Sequence, residues 1–161
     1  YSAQMCRDTQ SGLLDLALIF TPHPAPDLHF ETLGELSYAM VAPRGAGLSR
    51  IEDITPERYI QASLSNAFDS THGALLPHLS MPQLSAGQSV TVRGLIMTFG
   101  RAGYLQEPVA AQLINEGLVE RVVGAPELTQ PILAAIHYRN RHRAVWRTLI
   151  SAMRDNLKGP T

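Results

Sequence analysis

Residues 93–123, RGLIMTFGRAGYLQEPVAAQLINEGLVERVV, constrain the architecture of this chain more than any other stretch. Val92, Leu95, Ile96 and Phe99 follow helical spacing, so Leu95 and Phe99 are expected in the core, with Leu113 further on. Gly100 and Gly103 break that helix before a short strand at residues 104–106. A second helix follows at once. Pro108 sits where a first-turn proline is tolerated, because its missing N–H has no helical partner there in any case. Val109, Ala110, Leu113 and Ile114 share an apolar face, and Gly117 ends the helix before a strand at residues 118–123. Helix, strand, helix, strand with short joints is the rhythm of an α/β domain with parallel pairing.

The rest of the chain extends this pattern. Residues 13–20 read as a buried parallel strand, a near-continuous apolar run interrupted only by Asp15. Three alternating prolines in TPHPAP forbid both helix and ladder donation, which makes residues 21–27 an irregular loop. Residues 28–33 and 35–42 are two strand candidates separated by Gly34. Ser49 with Glu52 fits a capping box opening a short turn to Ile54. A strand at 59–64, a helix at 70–79, a weak strand at 83–88 and a helix capped by Ser89 or Thr91 come next. A last strand is expected at 132–138. Asn140 then caps a helix with Trp146, Leu149, Ile150, Met153 and Leu157 on one side.

Composition removes several functional classes. A chain of 161 residues, 45% hydrophobic, can bury a sizeable core as one domain or two small lobes. Its formal net charge of -1 supplies no global field for nucleic acid or membrane. Lone Cys6 excludes an internal disulfide and a four-cysteine zinc site. The longest apolar run is too short to span a bilayer. His23, His29, His72, His78, His137 and His142 form no HxH, HxxxH or HExxH spacing, so no metal site is expected. Neither GxSxG nor GxGxxG occurs, and no cofactor or catalytic residue is expected. Ser70 and His72 are two apart and do not face each other on a helix. The basic run RNRHRAVWR at residues 139–147 reads as the solvated face of an amphipathic helix.

Three segments in register carry a family resemblance. FGRAGYLQEPVAAQLINEGLVERV, from Phe99, resembles the glycine-ended helix, glycine-started strand and proline-led helix of LysR-type transcriptional regulators. SGLLDLALIF, from Ser11, resembles that family's strand entered through GxLDLAL. LHFETLGELSYAMVAPRGAGLSRIEDI, from Leu28, resembles its next strand, its crossing strand and its LxDL element. The matches keep their order over residues 11–157. The resemblance implies an effector-binding domain of α/β class, with a two-lobed, periplasmic-binding-protein-like (type 2) fold and a cleft between lobes.

Carried onto this sequence, that implies a partial lobe one at residues 1–38 and 136–161 and lobe two at 39–135. The chain crosses between them in the strands 35–42 and 132–138. Lobe one is implied to be incomplete, with residues 1–5 the remnant of its second strand, and the helix-turn-helix DNA-binding domain is absent from this chain. The implied function is that of a cytoplasmic, non-enzymatic sensor that binds a small effector, an organic anion or polar aromatic, to control an attached DNA-binding domain. It would form a homodimer or homotetramer through the effector domain, using the helix of residues 108–116, and would touch DNA only through the missing domain and no membrane. A periplasmic solute-binding protein of a transport system is the alternative on the same fold. An enzyme on a similar scaffold would need a convergent acid–base pair, which the sequence does not display.

Four groups of residues are candidates for the effector site. Gln61, Ser63, Ser65 and Asn66 follow a predicted strand, at the carboxyl end where open α/β sheets place ligands. Ser89, with Val90 and Thr91, opens a helix whose free amides favour a carboxylate. Thr21 and Pro22, leading to His23, end the strand of Asp15, and the resemblance puts the cleft wall there. Arg101, beside Tyr104, offers a guanidinium for an anion.

Overall fold

A computed structural model of the chain describes residues 2–157. The chain forms two compact units. One runs to Leu36 and resumes at Gln130; the other is Ser37–Thr129. The chain passes from one to the other within the strand Leu28–Pro43 and back within the strand Leu128–His137.

In the first unit, α1 (Ser2–Ser11) occupies most of the segment expected to be a strand remnant. Tyr1 lies outside the described residues. Cys6 and Thr9 are buried one helical turn apart, and Met5 packs beside them, a spacing a strand would scatter over two faces. Asp8 O accepts from both Leu13 N and Leu14 N, at 2.8 and 3.0 Å, as the chain turns through Gly12 at φ 81. β1 (Leu16–Ile19) follows and pairs antiparallel with β7 (Leu128–His137), Leu16 opposite Ile136 and Ile19 opposite Leu133. The expected parallel strand is therefore antiparallel. Ala17, Ile19 and Ala135 pack with α1, whereas Ile132, Ala134 and Ile136 pack with α5 (Ala144–Leu157) on the other face. Leu18, on the α5 side, stays 47% exposed, because α5 covers that face only in part.

α5 contributes buried Ile150 and the half-buried Trp146, Met153 and Leu157, while Leu149 is largely exposed. Asn140 does not cap it. It ends a single-turn helix at Tyr138–Asn140, and α5 begins four residues later.

In the second unit the sheet is mixed. β2 (Leu28–Pro43) is one continuous strand, so Gly34 does not divide it. Extended backbone tolerates glycine, and a Cβ at Gly34 would only make ordinary contact with Leu157 Cβ at 3.5 Å. The second half of β2 pairs antiparallel with β5 (Ala102–Gln106) and β6 (Val119–Arg121). β5 runs parallel to β3 (Tyr59–Ala62), which runs parallel to β4 (Leu84–Ala86). The helices are α2 (Asn66–Leu75), α3 (Ser89–Phe99) and α4 (Glu107–Asn115). The helix–strand repeat thus yields parallel β3, β4 and β5 as expected, but β6 returns antiparallel onto β2.

Several local expectations shift. α2 starts four residues before the expected position, because Ser65 supplies the cap, its Oγ accepting from Phe68 N at 3.1 Å. The turn after Ser49 is capped one residue later, where Asp53 Oδ2 accepts from Arg50 N at 3.1 Å. Gln88 is the N-cap of α3, and Ser89 is its first residue. In α3, Val92 and Ile96 are buried and Leu95 is half-buried, but Phe99 is 54% exposed and not core. Leu113 is buried as expected. No described helix is long and apolar enough to cross a membrane.

Candidate effector site

Parallel pairing brings the carboxyl ends of β3, β4 and β5 to one edge of the second unit. Ala62 pairs with Ala86, and Ser63 N donates to Ala86 O at 2.9 Å, which sets Ser63 beside the Gly87–Gln88 turn leading to Ser89. Gln106 ends β5 at the same edge and opens α4. The first turns of α2, α3 and α4 therefore gather where their unpaired amides carry partial positive charge.

Ser89, Val90, Arg93, Leu105, Gln106 and Val109 line a pocket of about 240 Å³ at this edge. Among the described residues Arg93 has no hydrogen bond or ion pair, so its guanidinium is available. Glu107, adjacent to the pocket, is not: Arg121 Nη1 donates to its Oε2 at 3.0 Å and Nη2 to its other oxygen. That fork holds the Glu107 carboxyl below its ordinary range and offsets its charge. Gln106 bonds Tyr38, its partner across the β2–β5 ladder, and burial of that phenol, the larger influence, raises its pKa.

Ser63 and Ser65 are both engaged by the protein. Ser63 Oγ donates to Asp69 Oδ2 at 2.6 Å, and Ser65 Oγ caps α2. A carboxylate only accepts, so the Ser63 hydroxyl offers its lone pairs, not its proton, to any other group. Ser65→Ala is consequently expected to lower stability by about 0.5–2 kcal/mol, the cost of a lost helix cap, measured by urea unfolding. An unchanged midpoint would show that the cap contributes nothing.

Beneath α2 lies a buried polar cluster. His72 is 1% exposed, and its Nε2 shares a 2.8 Å hydrogen bond with the Tyr59 hydroxyl. Burial pushes the Tyr59 phenol well above its ordinary value, so it stays protonated, and the imidazole tautomer sets which of the two donates. Burial also lowers the His72 pKa, with the Asp69 carboxylate opposing and His78 adding to the shift. A histidine depressed in the folded state favours folding above its unfolded pKa, and that contribution is lost as pH falls through the folded value. Unfolding free energy should therefore drop as pH falls below the ordinary histidine value of 6.5, and His72→Gln should flatten the drop. An equal drop in the variant would place the titration elsewhere.

Arg101 and Tyr104 stand apart from the serines. Ala102 pairs with Tyr59 at the amino end of β3, so Arg101 lies beyond that end, five residues or about 16 Å along the strand from Ser63. Its guanidinium lies 5.9 Å from the Phe99 ring centre. Tyr104 is 1% exposed, with its hydroxyl donating to Pro126 O at 2.7 Å and its ring set edge-on to Phe68 and His72. Burial raises its pKa far above the ordinary value. It is a core residue with a satisfied hydroxyl.

Thr21 and Pro22 lie in the first unit, just beyond the end of β1. Thr21 Oγ1 is buried without a hydrogen-bond partner among the described residues, and Pro22 is exposed. Arg93 and Gln106 escaped the sequence reading. The signal that pointed to Arg93 was its place four residues after Ser89, on the same face of one helix.

These features define a two-unit α/β regulatory domain with the type 2 periplasmic-binding-protein-like fold. The family model of the LysR substrate binding domain matches residues 1–158, and the chain belongs to that family as a ligand-sensing regulatory domain. No curated protein sequence matches the chain. Among solved structures it is similar to ArgP from Mycobacterium tuberculosis, with a TM-score of 0.75 at 16% identity over 98% of this chain and 56% of that one. HinK, a LysR family transcriptional regulator from Pseudomonas aeruginosa, gives 0.73 at 19% identity over 96% and 56%. The reduced form of the regulatory domain of OxyR2 from Vibrio vulnificus gives 0.73 at 10% identity over 95% and 76%. At these identities the likeness is one of fold, and the transport alternative gains no support from it.

Proposed function

We propose that the carboxyl edge of β3, β4 and β5 holds a small anionic effector, with Arg93 as its charged anchor. The supporting observation is the pocket in which the unpartnered Arg93 guanidinium stands beside Ser89 and Gln106 at the N-termini of α3 and α4. An anion there gains from the guanidinium and from both helix ends, while Arg121 offsets the one neighbouring carboxylate. Ser63 is proposed as a hydrogen-bond acceptor and Ser65 as the residue that shapes the turn. Thr21 and Pro22 belong to the first unit, where the family resemblance proposes them for the effector and the Thr21 hydroxyl is orphaned among the described residues. Arg101 and Tyr104 are left out of it.

Within this reading the chain is a non-enzymatic, cytoplasmic sensor that self-associates and acts on DNA through a separate domain. Only an effector with different affinities for two arrangements of the domain can move that DNA-binding part. Screening small carboxylates and phosphates by thermal unfolding tests it. An effector at a hundredfold excess over its Kd should add about 2.7 kcal/mol of stability. Arg93→Gln should weaken binding by about 1.5–3 kcal/mol, the worth of a charge-assisted hydrogen bond, with little effect on folding. Unchanged affinity in that variant would rule out this pocket as the site.

A further inference from the structure

The first unit contains a second basic pocket, which the effector site does not use. His29, Glu31, Tyr138, Arg141, His142 and Arg147 line an open cavity of about 400 Å³. It lies at the end of the sheet away from Thr21. Ile19, which ends β1 two residues before Thr21, pairs with Leu133, and the five residues from there to Tyr138 span about 16 Å.

The charges around this cavity do not balance. Glu31 is its one acid, and Arg154 engages it, Nη2 to Oε2 at 3.0 Å, while His29 Nε2 approaches its other oxygen at 3.4 Å. Arg154 is further tied by donating to Thr32 O at 2.9 Å. Two guanidiniums remain uncompensated. Arg141 is pre-positioned: its Nη1 donates to Tyr138 O at 3.0 Å, and its Cζ lies over the Tyr138 ring, 3.6 Å from the centroid. Stacking occupies the face of a guanidinium and leaves its in-plane N–H groups to bond. The Arg147 and His142 side chains have no hydrogen bond or ion pair among the described residues. A fixed arginine, a free arginine and a free imidazole thus line one concavity, the donor set that recognises a planar or tetrahedral oxyanion.

We infer that this pocket is a second ligand site, for a small molecule bearing a phosphate or carboxylate group. Arg141 supplies a fixed fork, Arg147 closes from the first turn of α5, and His142 adds a ring N–H. The site is independent of Arg93.

Calorimetric titration of the chain with inorganic phosphate and with citrate, at constant ionic strength, tests the inference. Saturable binding of either is expected, and the preferred one identifies the oxyanion. Ring signals of His29 and His142 should shift along with it in NMR spectra. Arg147→Gln and Arg141→Gln should each weaken binding about tenfold, the equivalent of about 1.4 kcal/mol, whereas replacing Arg44, an exposed arginine that lines neither pocket, by Gln should leave it unchanged. Arg147 is exposed, so its replacement tests binding without threatening the fold. Absence of saturation by both anions, or unaltered affinity in Arg147→Gln, would overturn the site. So would pocket-dependent binding to a short DNA duplex tighter than to phosphate, which would make the surface a nucleic-acid contact.

Discussion

Phe68→Ala is expected to lower the unfolding free energy by roughly 3–5 kcal/mol, a large part of what holds an ordinary domain together. Phe68 is fully buried, with its ring edge-on to Tyr38 at 5.0 Å and to Tyr104 at 6.3 Å between centroids. Truncation removes those contacts and leaves a cavity between rings too large to collapse. Phe99→Ala should change stability by less than about 0.5 kcal/mol, since that ring stands mostly in solvent. Urea unfolding of both variants makes the comparison. Equal losses would mean that the aromatic core does not centre on Phe68.

A comparable loss is expected at Gly103, where the defect is excess volume. A Cβ there would stand 2.9 Å from Ile96 Cδ1 and 3.0 Å from Ile60 O. The side chain can yield, but the carbonyl belongs to the β3 backbone and cannot. Gly103→Ala should cost about 1–3 kcal/mol, and Gly103→Val more. Trimming the movable neighbour supplies the control: Ile96→Val should cost less in the Gly103→Ala background than alone, a coupling a double-mutant cycle can read. Additive losses would show that strain at Ile60 O alone limits the site.

These two residues show why the order of elements was legible in the sequence. Gly100, Pro108 and Gly117 act locally, through backbone geometry, and the helix and strand boundaries around them follow within a residue or two. The serine after β3 was legible for the same reason, because a turn residue at a strand end needs no tertiary information. Phe99 was not. Its helical spacing matches that of Val92 and Ile96, and periodicity alone does not tell which end of an apolar stripe runs out into solvent.

Within the site, likewise, Ser63 and Ser89 were readable from position along the chain, whereas their separation from Arg101 was not. That separation comes from register: Ala102 faces Tyr59, so the arginine before it lands at the far end of β3. The pairing of β1 with β7 is of the same kind, since a run of apolar residues does not state the direction of its neighbour.

By itself, then, the sequence determined the succession of helices and strands, the α/β class and the family, because periodicity, capping and glycine or proline geometry are short-range properties of the chain. Tertiary structure alone decided which polar groups are already satisfied and which remain available. The Tyr104 hydroxyl is taken up by Pro126, Ser63 by Asp69 and Glu107 by Arg121, while the guanidiniums of Arg93 and Arg147 stay open to a ligand. The Tyr104 and Glu107 bonds join residues 22 and 14 apart, the Ser63 bond spans the turn into α2, and a hydrogen bond falls off over fractions of an ångström, so only the folded arrangement could assign them.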